Sequence, residues 1–243
     1  MSKHILITGA STGIGAETAI ELAAGNVIYV HYNSSADAAQ SVASEVEKRG
    51  GTAHIIQADL MLEEGCQQLH AEVAAKTDVL DVLVNNAGGL IRRNPVPELE
   101  WELMEQIFAL NVYSTMMMTR LCIPMLQKAE APNIINMTSI AMRHGAPTAT
   151  IYGASKGAID SFTRGAAKEL APHVRVNAIA PGVIETPFHE KVSTPEQMER
   201  FKEFSPLKRN GVSSHIATAV RFLVDNDFMT GETLDINGGS FMR

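Results

Sequence analysis

The feature that most restricts this chain is a rhythm. Seven short apolar runs, rich in β-branched residues, alternate with stretches of helical spacing. The runs are His4–Thr8, Val27–His31, Ala53–Gln57, Val79–Asn85, Asn133–Thr138, Val174–Ala180 and Thr233–Ile236. Nearly continuous apolar strands suit a parallel sheet covered on both faces. Between them, Ala38, Val42 and Val46 recur at i, i+4 and i+8, and Cys66, Leu69 and Val73 at i, i+3 and i+7, the spacing of one helical face. Strands alternating with helices imply right-handed crossovers and a doubly wound parallel α/β sheet with helices on both faces. Such sheets bind ligands beyond the carboxyl ends of their strands.

A chain of 243 residues, 45% hydrophobic and 19% charged, fits one such domain over residues 1–243. Its net charge of -7 argues against a nucleic-acid surface, which needs clustered Lys and Arg. An anionic cofactor remains compatible, because backbone N–H groups alone can seat a phosphate. The two cysteines, Cys66 and Cys122, lack CxxC spacing and neighbouring histidines, so no metal site is expected and a reducing compartment fits. A first strand beginning at His4 leaves no room for a leader, and no apolar run is long enough to span a bilayer. A cytoplasmic protein with no membrane or nucleic-acid partner is expected. One irregular stretch, Glu185–Arg209, carries Pro187, Pro195 and Pro206 among many charges. Its place after the sixth strand suits a substrate lid at about 185–209 rather than an idle surface insertion.

Three constellations carry chemistry. Thr8-Gly9-Ala10-Ser11-Thr12-Gly13-Ile14-Gly15 follows the first strand, where glycines allow a pyrophosphate to approach the backbone and the next helix offers its positive end. Asn85-Asn86-Ala87-Gly88 ends the fourth strand, with the Asn side chains placed to pin neighbouring strands and the backbone beside a ribose. Tyr152-Gly153-Ala154-Ser155-Lys156 opens a helix, and Ser139 follows the fifth strand. Residues four apart share a helix face, and a nearby cation lowers a phenol of pKa ~10 by roughly 1–3 units.

In this order along an α/β chain, TGxxxGxG, NNAG, Ser and YxxxK resemble the short-chain dehydrogenase/reductase family, a single-domain Rossmann-type fold. The resemblance covers essentially the whole chain, continuing through Asp59-Leu60, Pro181-Gly182, Thr186 and Asn237-Gly238-Gly239. It implies an NAD(P)-dependent enzyme interconverting a ketone and a secondary alcohol. By this resemblance Tyr152 is the acid/base, Lys156 lowers its pKa and holds the nicotinamide ribose, Ser139 bonds the substrate oxygen, and Asn111 anchors a water in the proton path. Gly9, Ser11, Thr12, Ile14 and Gly15 would cradle the pyrophosphate. Asp59 and Leu60 would flank the adenine, and Asn86, Ala87 and Gly88 the ribose. Ile184 and Thr186 would lie at the carboxamide, and Pro181 and Gly182 would also contact the cofactor. A homotetramer is implied, paired through the helix from Tyr152 to Leu170, whose many small residues suit close contact.

Cofactor choice is read at the end of the second strand, His31-Tyr32-Asn33-Ser34-Ser35. An acid there would repel a 2′-phosphate. None is present, so NADP(H) is favoured over NAD(H), with Tyr32, Asn33 and Ser34 at the ribose and Tyr32→Asp expected to reverse the preference. Among substrates the chain looks most like the 3-oxoacyl-carrier-protein reductases, and a sugar or polyol dehydrogenase is the alternative. Arg92 and Arg93 can meet an acidic carrier or a phosphorylated substrate, or stand as a solvated loop, and His144 can line the substrate pocket. A non-catalytic dinucleotide-binding regulator stays open as a second class, although it would not need Ser139, Tyr152 and Lys156 together. A methyltransferase with a Gly-rich first loop would not need them either.

Overall fold

In a computed structural model that describes residues 2–242, the chain begins with β1 (His4–Ile7), α1 (Gly13–Glu21), β2 (Val27–Tyr32) and α2 (Ala36–Lys48). It continues through β3 (Thr52–Gln57), α3 (Glu63–Ala74), β4 (Val82–Asn85) and α4 (Trp101–Phe108). A single π-helical turn, Ala109–Tyr113, joins α4 to α5 (Ser114–Leu126). Then come β5 (Asn133–Met137), α6 (Ala141–His144), α7 (Thr150–Leu170) and β6 (Arg175–Pro181). The last part holds β7 (Ile184–Glu185), α8 (Pro187–Val192), α9 (Pro195–Phe204), β8 (Gly211–Val212), α10 (Ser213–Asp225) and β9 (Thr233–Ile236).

All seven expected runs become strands of one sheet, in the order β3-β2-β1-β4-β5-β6-β9. Every neighbouring pair is parallel. The order reverses between β1 and β4, and that switch point opens a crevice at the carboxyl ends. Because side chains alternate across a strand, Ile5 and Ile7 join Ile28, Val30, Val84 and Ile135 in a core beneath α1, α2 and α10. Leu6 turns the other way, with Tyr29, Leu83 and Ile134, toward α3 and α5. The central strands β4 and β5 are buried throughout, whereas edge strand β3 exposes Thr52, Ile55 and Gln57.

Two details differ from the sequence expectation. The buried stripe of α2 is Ala39, Val42 and Val46, with Ala38 turned partly outward. The stretch 185–209 is not irregular: it contains α8 and α9, the second capped by Thr194, whose hydroxyl accepts from the Gln197 amide. Neither helix buries a residue. The cysteines are buried and free. Burial pushes the Cys66 thiol up to about 11 and Cys122 up to about 12, so both pack as inert small hydrophobes. Among the described residues, no helix is long and apolar enough to cross a membrane, and no cluster of His, Cys, Asp and Glu is placed to hold a metal ion.

Candidate active site

The loops at the carboxyl ends of β1, β2, β4, β5 and β6 surround a cavity of about 740 Å³. The β1 and β4 loops are stitched together. Thr8 Oγ1 accepts from the amides of Asn86 and Ala87 at 3.0 and 2.9 Å. Asn86 Nδ2 donates to the carbonyls of Thr8 and Gly9, both at 2.9 Å. One residue earlier, Asn85 Nδ2 donates to Asn136 Oδ1 at 2.9 Å, tying β4 to β5. The NNAG asparagines therefore pin neighbouring strands, as their spacing suggests.

Gly15 sits where α1 presses on this seam. A Cβ there would lie 2.4 Å from the Gly9 carbonyl oxygen and 2.5 Å from Asn86 Nδ2. Such overpacking costs roughly 1–3 kcal/mol. Gly15 thus brings helix and loop together instead of lining the cavity, unlike Gly9, Ser11, Thr12 and Ile14, which do line it. Thr12, at the N-cap, makes no side-chain capping bond. The positive end of α1 consequently faces the cavity with first-turn N–H groups open to an anion. That is the seat a dinucleotide pyrophosphate needs.

Asn33, Ser34, Asp59, Leu60, Asn86, Ala87, Gly88, Pro181, Gly182, Ile184 and Thr186 also line the cavity. Tyr32 does not. Its ring packs against the α1/α2 core, and it is the neighbouring Asn33 that lines the crevice at the end of β2. His31, a residue the sequence left without a role, is spent on the backbone. Its Nδ1 accepts from the Gly9 amide at 2.9 Å, which leaves Nε2 to donate to the Ala58 carbonyl at 3.1 Å. Burial holds its pKa down at about 4. A neutral, tautomer-fixed imidazole thereby joins the loops after β1 and β3.

At the other end, α7 begins at Thr150, one residue after Ala149 of the cavity wall, and Tyr152 and Lys156 reach into the cavity from one face. The Ser139 hydroxyl lines the cavity with Tyr152 and acts to lower the phenol's pKa, and Ser139 Oγ itself accepts from the Ala141 amide at 3.2 Å. Lys156 Nζ lies 5.8 Å from the Tyr152 ring centroid and donates to the Met137 carbonyl at 2.8 Å. Gly88 is what admits it: a Cβ at Gly88 would sit 2.9 Å from Nζ and 2.6 Å from Asn111 Oδ1. Burial pushes the Tyr152 phenol up, opposed by the Ser139 hydroxyl, and pulls Lys156 down to about 8. The expected lowering of the phenol by the ammonium is not what dominates here. At neutral pH the site holds a phenol, poised to give a proton.

Asn111 lies in the π-turn, fully buried behind the cavity. Its Oδ1 accepts from the Gly89 amide, and its Nδ2 donates to the Gly89 carbonyl, both at 2.8 Å, and to Ser155 Oγ at 3.2 Å. The side chain clamps the NNAG loop to α7, so the spacing between Gly88 and Lys156 depends on it. His144 lines the cavity from the end of α6. The two arginines part company. Arg92 pairs with Glu100 on the surface at 2.7 Å, whereas Arg93 turns inward and lines the cavity. Phe188 and His189 of α8 line it as well. No motif in the sequence marked these two, beyond their place just after Thr186.

A parallel switch-point sheet with an uncapped Gly-rich seat at one end and a Ser–Tyr–Lys group at the other defines a nicotinamide-dependent oxidoreductase. The family model described as enoyl-(acyl carrier protein) reductase matches residues 9–240. A 3-oxoacyl-[acyl-carrier-protein] reductase of Synechocystis sp. is 36% identical over 98% of this chain and 96% of its own length. A cyclopentanol dehydrogenase of Comamonas sp. is 35% identical, again over 98% and 96%. Among solved structures, an NADH-dependent reductase A1-R′ responsible for alginate metabolism superposes with a TM-score of 0.91 at 30% identity, covering 100% of this chain and 98% of that one. The angucycline C-6 ketoreductase LanV with bound NADP gives 0.91 at 30% identity, over 98% and 95%. The chain belongs to the short-chain dehydrogenase/reductase family, on the side of it that resembles the 3-oxoacyl-carrier-protein reductases.

Proposed function

We propose that the protein reduces a 3-oxoacyl-type ketone to a secondary alcohol with NADPH, Tyr152 giving the proton. The observation that carries this reading is the Tyr152 phenol, lining the cavity with the Ser139 hydroxyl and one helical turn from the Lys156 ammonium. A bound nicotinamide would supply the hydride. As negative charge builds on the carbonyl oxygen, the Tyr152 and Ser139 hydroxyls aim at it, and Tyr152 then releases its proton to the alkoxide. Lys156, with one proton committed to Met137, keeps donors for the ribose hydroxyls. The names of the Synechocystis relative and of LanV support a keto group as the target. The test is a screen of 3-oxoacyl thioesters, ketoses and polyols, following nicotinamide absorbance with each cofactor. Activity confined to polyols would replace the oxoacyl assignment.

Preference for NADP(H) rests on the β2–α2 turn. Asn33, Ser34 and Ser35 line the cavity, and Ser35, at the N-cap of α2, makes no side-chain capping bond. A 2′-phosphate placed there would meet the positive end of α2 and no carboxylate at the tip of β2. Because Tyr32 faces the core, the reversing substitution is Asn33→Asp rather than Tyr32→Asp. Wild-type kcat/KM should be higher with NADPH than with NADH, and Asn33→Asp should invert the order. A wild-type enzyme favouring NADH tenfold would refute the assignment.

The stretch 185–209 is assigned as a lid. Since no side chain of α8 or α9 is fully buried, modest apolar surface opposes their opening. Their amide hydrogens should exchange fast without ligands and slowly with cofactor and substrate. Full protection in their absence would make the segment a rigid wall. A homotetramer is proposed on α7, where Ala154, Ser161 and Gly165 form one exposed small-residue stripe. Light scattering should return four times the chain mass.

A further inference from the structure

The cavity is more basic than the protein around it. The whole chain carries a charge of -7, yet the residues lining the cavity include Arg93, Lys156 and Lys191 and a single carboxylate, Asp59. A cleft lined by one sign of charge concentrates ligands of the other. Asp59 lies at the adenosine end, after β3, and Lys156 belongs to the ribose. Arg93 and Lys191 lie on the other side, among groups that the dinucleotide does not require.

Arg93 is held there by neutral acceptors. Its Nε donates to the Val192 carbonyl at 2.7 Å, and its two Nη atoms reach Thr148 Oγ1 and Ser193 Oγ at 3.4 Å each. Among the described residues no carboxylate pairs with it, whereas its neighbour Arg92 is satisfied by Glu100. A guanidinium has five N–H donors, so each Nη keeps one N–H beyond these contacts. Two such donors on one planar guanidinium can grip a carboxylate or phosphate.

The surroundings reinforce that grip. His189, which might have shared the charge, is kept neutral, its pKa down at about 4 by burial and by the Arg93 cation. Its Nδ1 is engaged with Ser193 Oγ at 3.0 Å. The loops on either side are held in uncommon backbone states, with φ of 63° at both Ile91 and Thr148. The Thr148 carbonyl accepts from the Asn94 amide at 2.7 Å, which locks the two loops with Arg93 between them. Strained, mutually locked residues of this sort gather where a group must be aimed. The bearing toward the reacting centre is set by α8. Its Phe188 ring lies 6.1 Å from the Tyr152 ring, and its C-terminal end takes the Arg93 bond.

We propose that Arg93 is the anchor for an oxyanion on the substrate, so that the ketone reduced at Tyr152 carries a carboxylate or phosphate at its far end. This rests on the reductase reading above. Two sources share that chemistry: the carboxylate of a small oxo acid, and the phosphate of a pantetheine arm bearing the oxoacyl group.

The experiment compares wild type with Arg93→Met on two matched pairs, with NADPH saturating. Acetoacetate is set against ethyl acetoacetate, and S-acetoacetyl-4′-phosphopantetheine against S-acetoacetyl-pantetheine. In at least one pair, Arg93→Met should lower kcat/KM at least tenfold for the anionic member, through KM, and leave the neutral member within about twofold. The pair that responds names the source of the oxyanion. Equal losses on charged and neutral members would make Arg93 only a strut for α8, and unchanged values on all four would remove it from the site; either result overturns the proposal. Should wild type reduce none of the four, the reductase reading falls by itself. Calorimetric binding of acetoacetate and of 4′-phosphopantetheine then decides the anchor: weaker binding of either to Arg93→Met upholds it, and equal binding of both overturns it.

Discussion

Tyr152→Phe should abolish nearly all turnover while leaving the nucleotide bound. The substitution keeps the ring that packs 6.1 Å from Phe188 and removes the hydroxyl that lines the cavity with Ser139. No other hydroxyl reaches the site from α7 alongside Lys156, so the developing alkoxide loses both a hydrogen bond and its proton source. Loss of general acid catalysis alone is worth roughly a hundred- to ten-thousand-fold. The measurement is kcat on the best ketone beside NADPH affinity by fluorescence. Near-normal kcat in the variant would remove Tyr152 from the mechanism, whatever else the cavity does.

Lys156→Met should damage both binding and rate, and it should do so with a pH signature. Burial sets the wild-type ammonium at about 8 against an ordinary 10.5. Below about pH 8 the cation is present to hold the ribose, and above it the contact fades. Nucleotide affinity in wild type should therefore fall as pH rises through 8, and the variant should be weak and flat across the same range. Stability runs the other way. Between about 8 and 10.5 the unfolded chain holds a proton on Lys156 that the folded chain has lost, so folding gains as pH rises. At neutral pH the fold bears the full cost of burying the charge. Wild type should gain thermal midpoint relative to Lys156→Met across that window. Parallel stability curves would show that the ammonium is better solvated than its position suggests.

The strands were legible because burial on both faces leaves an unbroken apolar run, which turns and helices seldom imitate. The Tyr–Lys pair was legible because four-residue spacing fixes a common helix face. What escaped depends on single-residue direction or on distant partners. The two-residue strands β7 and β8 are too short to have a period. At the end of β2, alternation decides whether Tyr32 or Asn33 faces the crevice, and an amphipathic Tyr suits either side. The imidazole of His31 finds its acceptor at Ala58, 27 residues on, a pairing that only the β2–β3 register reveals. Adjacent arginines read alike in sequence. They diverge after Ile91, whose positive φ turns the loop and sends Arg93 inward while Arg92 stays at the surface.

The sheet order has a consequence for how the protein comes into being. β1 through β4 all lie within the first 85 residues, and they bring the Gly-rich loop, His31, Asn33 and Asp59 to one rim. A chain made from its N-terminus can thus complete its nucleotide-holding half long before Ser139 and Tyr152 leave the ribosome. During that interval the outer flank of β4, destined for β5, is an open row of hydrogen-bonding groups flanked by Val82, Leu83 and Val84, the kind of edge that recruits foreign strands. Placing β1 and β4 at the centre of the sheet gives the mature protein its crevice, and it leaves the newborn chain with its stickiest edge uncovered until β5 arrives.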